Sequence, residues 1–192
     1  MFEKSHFRSK LKNTNLDLGS ELRRRISQSI VDNIVGYIKL RNQFEVIFLY
    51  SALPYEADVS AIVKMLPGRK FGFPRVLSPQ EMGFFSVVSD NDLKLGTFGI
   101  LEPNLDCKTL TPDANTVILV PGLGFSSRGD RLGHGRGFYD RYFKCYHESH
   151  TRIGVCFAQN YFEIAPWKTE NHDVCMNAIV TENGFHATCK AD

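Results

Sequence analysis

The stretch TVILV, Thr116 to Val120, is a continuous apolar run that passes directly into VPGLGFSSRGDRLGHGRGFYDRY, Val120 to Tyr142. A strand without polar alternation has no face to give to water, so it needs a covering layer above and below it. Further short β-branched and aromatic runs read as strands: EVIFLY (Glu45 to Tyr50), KFGFPRV (Lys70 to Val76), FFSVV (Phe84 to Val88), RIGVCFA (Arg152 to Ala158) and NAIVT (Asn177 to Thr181). Pro74 pushes the second of these toward a sheet edge or an early end. Between them lie helical patterns. Leu22, Ile26, Ile30, Ile34 and Ile38 repeat every four residues over Ser20 to Leu40, and Val59, Ile62, Val63 and Leu66 keep helical spacing. A helix is expected from Gly137 into the 140s, and a short one over Glu3 to Lys12. Strands alternating with helices predict an α/β, Rossmann-like fold: a single three-layer domain over residues 1–192, its central sheet mostly parallel and its helices on both faces.

With 192 residues, 43% of them hydrophobic and 23% charged, the composition is that of a globular chain able to bury a core. The formal net charge of +2 provides no global field for nucleic acid or an anionic membrane, so neither is expected as a partner and any anion site must be local. No apolar stretch approaches the roughly 20 residues that span a bilayer. The N-terminus MFEKSHFRSKLKNTN lacks the apolar core of a secretory signal. Cys107, Cys145, Cys156, Cys175 and Cys189 are odd in number and show no CxxC spacing, which fits reduced thiols in the cytoplasm better than disulfides or zinc.

In such a sheet, ligands bind beyond the carboxyl ends of the strands, and there the glycines are concentrated. Gly133, Gly135 and Gly137 alternate with His134 and Arg136, so backbone N–H groups can approach an anion between two side chains that can carry positive charge. The spacing is neither a Walker A loop nor a dinucleotide fingerprint. A tight strand-to-helix connection would also use glycine, but three alternating glycines with interleaved basic residues favour a phosphate cradle. Asp140, three residues after Gly137, is either a first-turn acid complementing the helix dipole or an oxygen ligand for Mg²⁺, and Asp173 is either a loop aspartate or a second such ligand. Lys4 and Arg8, four apart, project from one helix face that is either solvated or turned toward an anion. Glu56 could lead the helix after the first strand.

At VPGLGF and RGDRLGHGRGFYDRY the chain closely resembles the 5-formyltetrahydrofolate cyclo-ligases, also called 5,10-methenyltetrahydrofolate synthetases. The resemblance extends over most of the chain, through K-S-H-F-R (Lys4 to Arg8), Glu56, F-P-R (Phe73 to Arg75), G-I-L-E-P (Gly99 to Pro103), G-V-C-F-A-Q (Gly154 to Gln159) and H-D-V (His172 to Val174). It implies conversion of 5-formyltetrahydrofolate and ATP into 5,10-methenyltetrahydrofolate, ADP and phosphate with Mg²⁺, by a cytoplasmic monomer whose partners are small molecules. The formyl oxygen would be phosphorylated and N10 would then close the ring. By position, the resemblance implies ATP contacts at Lys4, Arg8, Arg131, Gly133, His134, Gly135, Arg136, Gly137, Phe138 and Tyr139. It likewise implies folate contacts at Leu49, Glu56 and Tyr139, and metal contacts at Asp140 and Asp173. Arg136 and Lys4 would neutralise transition-state charge. Asn177 stands where many members carry an aspartate, and two extra residues separate Leu49 from Glu56 relative to some relatives. A chain that kept this pocket but lost turnover, a folate- or nucleotide-binding protein, is the alternative.

Overall fold

The computed structural model describes residues 3–146, 150–170 and 172–188, so Cys189 and the last residues of GFHATCKAD lie outside the described residues. The helices are α1 (Lys4–Asp17), α2 (Ser20–Lys39), α3 (Ile62–Met65) and α4 (Phe138–Cys145). The strands are β1 (Val46–Phe48), β2 (Lys70–Val76), β3 (Met82–Ser86), β4 (Leu93–Leu95), β5 (Leu101–Pro103), β6 (Thr109–Leu110) and β7 (Thr116–Pro121). They continue with β8 (Gly124–Ser126), β9 (Arg131–Leu132), β10 (His150–Val155), β11 (Tyr161–Phe162), β12 (Ala178–Thr181) and β13 (Gly184–Ala187).

Eight strands form the main sheet in the order β13-β12-β10-β7-β1-β2-β3-β6. The segment from β12 to β2 is parallel, and the additions at its two ends are antiparallel. β7 lies inside the parallel segment, where its sequence requires it to be. Val117 and Leu119 pack to one side with Ile30, Ile34 and Ile38 of α2, while Ile118 and Val120 pack to the other with Tyr142 and Phe143 of α4. The mostly parallel, three-layer α/β arrangement with helices on both faces is therefore present.

Several boundaries move for physical reasons. α1 runs to Asp17 rather than Lys12, because Leu11 and Asn15 are buried on its inner face. FFSVV is displaced to Met82–Ser86, leaving Val88 88% exposed. Pro74 does not end β2. The pairing with β1 stops at Gly72, so the missing N–H falls where that side of the strand is open. The expected loop after β7 contains structure, since β8 and β9 form a hairpin that β11 joins in parallel. A second hairpin, β4–β5, turns through Phe98, a non-glycine residue with φ of 61°. No described helix is long and apolar enough to cross a membrane.

Candidate active site

Beyond the carboxyl ends of β1, β2 and β7 opens a cleft of about 820 Å³. Its walls come from the segment after β1, the end of β2, the β4–β5 hairpin, the glycine loop and α1. α1 is anchored there by its own side chains. Asn15 donates to the Tyr55 carbonyl and accepts from Gln159 and Asn160, so one buried amide ties the helix to the exits of β1 and β10.

Each glycine of the loop stands against a guanidinium. A Cβ on Gly133 would lie 2.5 Å from Arg131 Nη1, one on Gly135 3.1 Å from the Arg8 Cζ, and one on Gly137 2.7 Å from Arg141 Nη1. Gly135 and Gly137 also have φ of 90° and 67°, which a side chain would strain. Arg8 Nε donates to the Gly133 carbonyl at 2.9 Å, and Arg141 donates to the Arg136 carbonyl at 2.8 Å. Arg131, nearly buried, donates to Asp140 Oδ2 at 2.8 Å, and its Nε has no hydrogen-bond partner. Arg136 is exposed and lies over the Phe98 ring, 5.5 Å from its centroid. The loop thus presents glycine backbone among cations and opens α4, whose first turn carries Asp140. Such a surface attracts an anion.

The acids are largely matched. Lys4 Nζ lies 2.7 Å from Asp173 Oδ2, 3.0 Å from Oδ1 and 2.9 Å from Glu170 Oε2. Partial burial works against its charge, but these bonds hold Lys4 protonated and keep Glu170 below the usual carboxylate range. Glu170, His172 and Asp173 have ligand atoms within 4.8 Å of one another, yet Lys4 already pairs with both carboxylates of this cluster. Asp140 gives one oxygen to Arg131, while the other receives only a long 3.5 Å contact from the Val174 N–H. Its donor set fits a single contact to Mg²⁺, which commonly takes one or two carboxylates together with phosphate oxygens. A pair of free aspartates is not what the structure shows, because Asp173 is held by Lys4.

Opposite the glycine loop sits Glu56. Burial pushes its pKa up to about 7, opposed by the Leu53 N–H and the Arg131 charge. Oε2 accepts from the Leu53 N–H at 2.9 Å, while the buried Oε1 has no hydrogen-bond partner. His134 Nε2 approaches Oε1 to 3.4 Å. Burial, then Arg131, Arg8 and Lys12, push the imidazole down to about 4, so it is neutral near pH 7. Tyr139 lines the same wall with its hydroxyl pushed up by burial.

Arg8, Arg131, Gly133, His134, Gly135, Arg136, Gly137, Phe138, Tyr139, Glu56, Asp140 and Asp173 all line the cleft, and Lys4 grips two of its acids. Leu49 does not line it: just past the end of β1, its side chain is fully buried in the core cluster that includes α2, while Tyr50 reaches the opening. Lining residues not anticipated from sequence include Tyr50, Lys12, Glu170, Phe98 and Glu102. Glu170 had a signal in its spacing from Asp173. Phe98 had one in the glycines beside it, which mark a turn.

A family model described as the 5-formyltetrahydrofolate cyclo-ligase family matches residues 1–182. A Haemophilus influenzae 5-formyltetrahydrofolate cyclo-ligase is 26% identical over 184 residues, covering 93% of this chain and 97% of that protein. A Schizosaccharomyces pombe relative is 27% identical over 126 residues, 59% of this chain and 62% of its own length. The NMR structure of an Aquifex aeolicus 5,10-methenyltetrahydrofolate synthetase superposes with a TM-score of 0.82 at 28% identity, covering 98% of this chain and 94% of that one. The match over nearly the whole length, on a cleft that sets a glycine loop among guanidiniums beside a buried carboxyl group, places the chain in the 5-formyltetrahydrofolate cyclo-ligase family.

Proposed function

We propose that this cleft closes 5-formyltetrahydrofolate to 5,10-methenyltetrahydrofolate at the expense of ATP, releasing ADP and phosphate. The observation that carries the reading is the juxtaposition of two recognition surfaces in one cleft: a glycine loop among guanidiniums, and the partnerless Glu56 Oε1 facing it. A pterin ring presents adjacent N–H donors, and a carboxyl oxygen without a hydrogen-bond partner can accept from them. A triphosphate meets the loop and its arginines.

A formamide carbon is a poor electrophile. Attack by the formyl oxygen on the γ-phosphorus expels ADP and leaves a good leaving group on that carbon. N10 then attacks the carbon and gives up its proton, and phosphate departs carrying the former formyl oxygen. Phosphoryl transfer of this kind is governed by positioning and charge neutralisation. Arg131 is fixed by Asp140 and Arg8 by the Gly133 carbonyl, so both cations are set in place before substrate arrives. Arg136, exposed at the loop over the Phe98 ring, would follow the transferring group. Lys4 and Asp173, paired with each other, are a cation and an acid that ATP and its Mg²⁺ would engage separately. Mg²⁺ held by Asp140, Asp173 and phosphate oxygens would supply further charge neutralisation. On this reading the protein is a cytoplasmic monomer whose partners are the two small molecules.

The test is spectrophotometric. The methenyl chromophore should form from 5-formyltetrahydrofolate only with both ATP and Mg²⁺. Folded protein that gives no product, yet is stabilised against heat by ATP or the folate, would make it a binding protein instead.

A further inference from the structure

The glycine loop and the segment after β1 serve different substrates in the proposed reading, and His134 is where they meet. Its ring lies 5.6 Å from that of Tyr55, centroid to centroid, and its Nε2 lies 3.4 Å from Glu56 Oε1. That distance is a contact and not yet a formed hydrogen bond. The Glu56 carboxyl group is anchored through Oε2 alone. Around the imidazole stand Arg131, Arg8 and Lys12, which with burial keep it uncharged, so it offers Glu56 a neutral donor. A lysine or arginine here would hold the carboxylate as an ion pair whatever the loop was doing. A neutral ring at 3.4 Å stops short of a hydrogen bond to it as the loop stands.

We propose that His134 is a positioning residue that couples the two ligand sites: closure of the glycine loop on the nucleotide's phosphates draws His134 Nε2 onto Glu56 Oε1 and fixes that carboxyl group for the folate. The inference rests on the cyclo-ligase reading of the cleft. A carboxyl oxygen has two lone pairs, so Oε1 accepts from His134 and from a ligand N–H together. Because binding free energies are linked, the coupling is reciprocal: the nucleotide tightens folate binding by the factor by which folate tightens nucleotide binding.

The test is calorimetric titration of 5-formyltetrahydrofolate into the full-length protein, with and without a non-hydrolysable ATP analogue and Mg²⁺. Wild type, His134→Ala and His134→Gln are compared. In wild type the analogue should tighten folate binding by about fivefold or more, the lower end of typical coupling between sites. In His134→Ala that ratio should fall to about one, whatever happens to each separate affinity. Glutamine carries a neutral N–H donor and should restore much of the ratio. A merely structural role would weaken both ligands in the alanine variant and leave the ratio unchanged, which would overturn the inference. Wild type that binds both ligands with no coupling would also overturn it while leaving the proposed function standing. Wild type that binds neither ligand would remove the proposed function and this inference together.

Discussion

Two glycines show how the same substitution tests different things. Gly129 has φ of 83°, and a Cβ there would lie 2.6 Å from the Met176 carbonyl oxygen, a backbone atom that cannot step aside. Gly129→Ala should therefore cost about 2 kcal/mol or more, read as a lower denaturation midpoint. At Gly133 the added carbon meets Nη1 at the far end of Arg131, a flexible side chain that can shift while its Nη2 keeps Asp140, so the cost in stability is small but the guanidinium is displaced. Gly133→Ala should keep its melting temperature near that of wild type and raise the KM for ATP by about tenfold, the loss of one charge-assisted contact. Equal melting and equal KM would detach Arg131 from nucleotide binding. Glu56 has a pH signature of its own. Its folded pKa of about 7 lies above the ordinary carboxyl value of 4.5, so the folded state holds the proton more tightly. Stability should accordingly fall as pH rises from roughly 4.5 to 7 and then level off, by an amount on the order of 3 kcal/mol at most. Glu56→Gln should flatten that slope in melting curves and weaken folate binding by about tenfold or more.

At the scale of elements, α1 closes the site. Asn15 secures it at one end, and Lys4 secures it at the other through Asp173 and Glu170. Because Asn15 remains, Lys4→Ala should chiefly raise the KM for ATP, with a smaller effect on kcat; an unchanged KM in steady-state assays would return Lys4 to a purely structural role. The elements legible in the sequence were those with long periodic signals. α2 announced itself by its four-residue repeat, β7 by its unbroken apolarity, and α4 by the glycine before it. The hairpin of β8 and β9 was not legible, because two- and three-residue strands have no period and are fixed by pairing with β11. The site followed the same rule. The glycine loop could be read as a cluster of glycines and cations beyond the strand ends, since its pattern is local. The Lys4–Asp173 pair could not be read, because 169 positions separate its members and only the fold brings them together. Leu49 shows the limit of transfer by position, since its side chain faces the core.

For the whole molecule, the cleft joins segments from α1 to Asp173, so ligands that fill it should stabilise the chain globally. At a free concentration of 100 times Kd, a ligand adds about 2.7 kcal/mol to stability. For a chain of this size that corresponds to a rise of roughly 5–10 °C in Tm. ATP with Mg²⁺ and 5-formyltetrahydrofolate should each produce such a shift in differential scanning calorimetry. A response to neither would mean that the cleft is not their site. In the proposed reaction one atom, the formyl oxygen, becomes an oxygen of the released phosphate. Turnover of 5-formyltetrahydrofolate labelled with oxygen-18 in the formyl group, followed by mass analysis of the inorganic phosphate, tests it directly. One labelled oxygen per phosphate is the predicted result, and unlabelled phosphate formed alongside the methenyl product would contradict it.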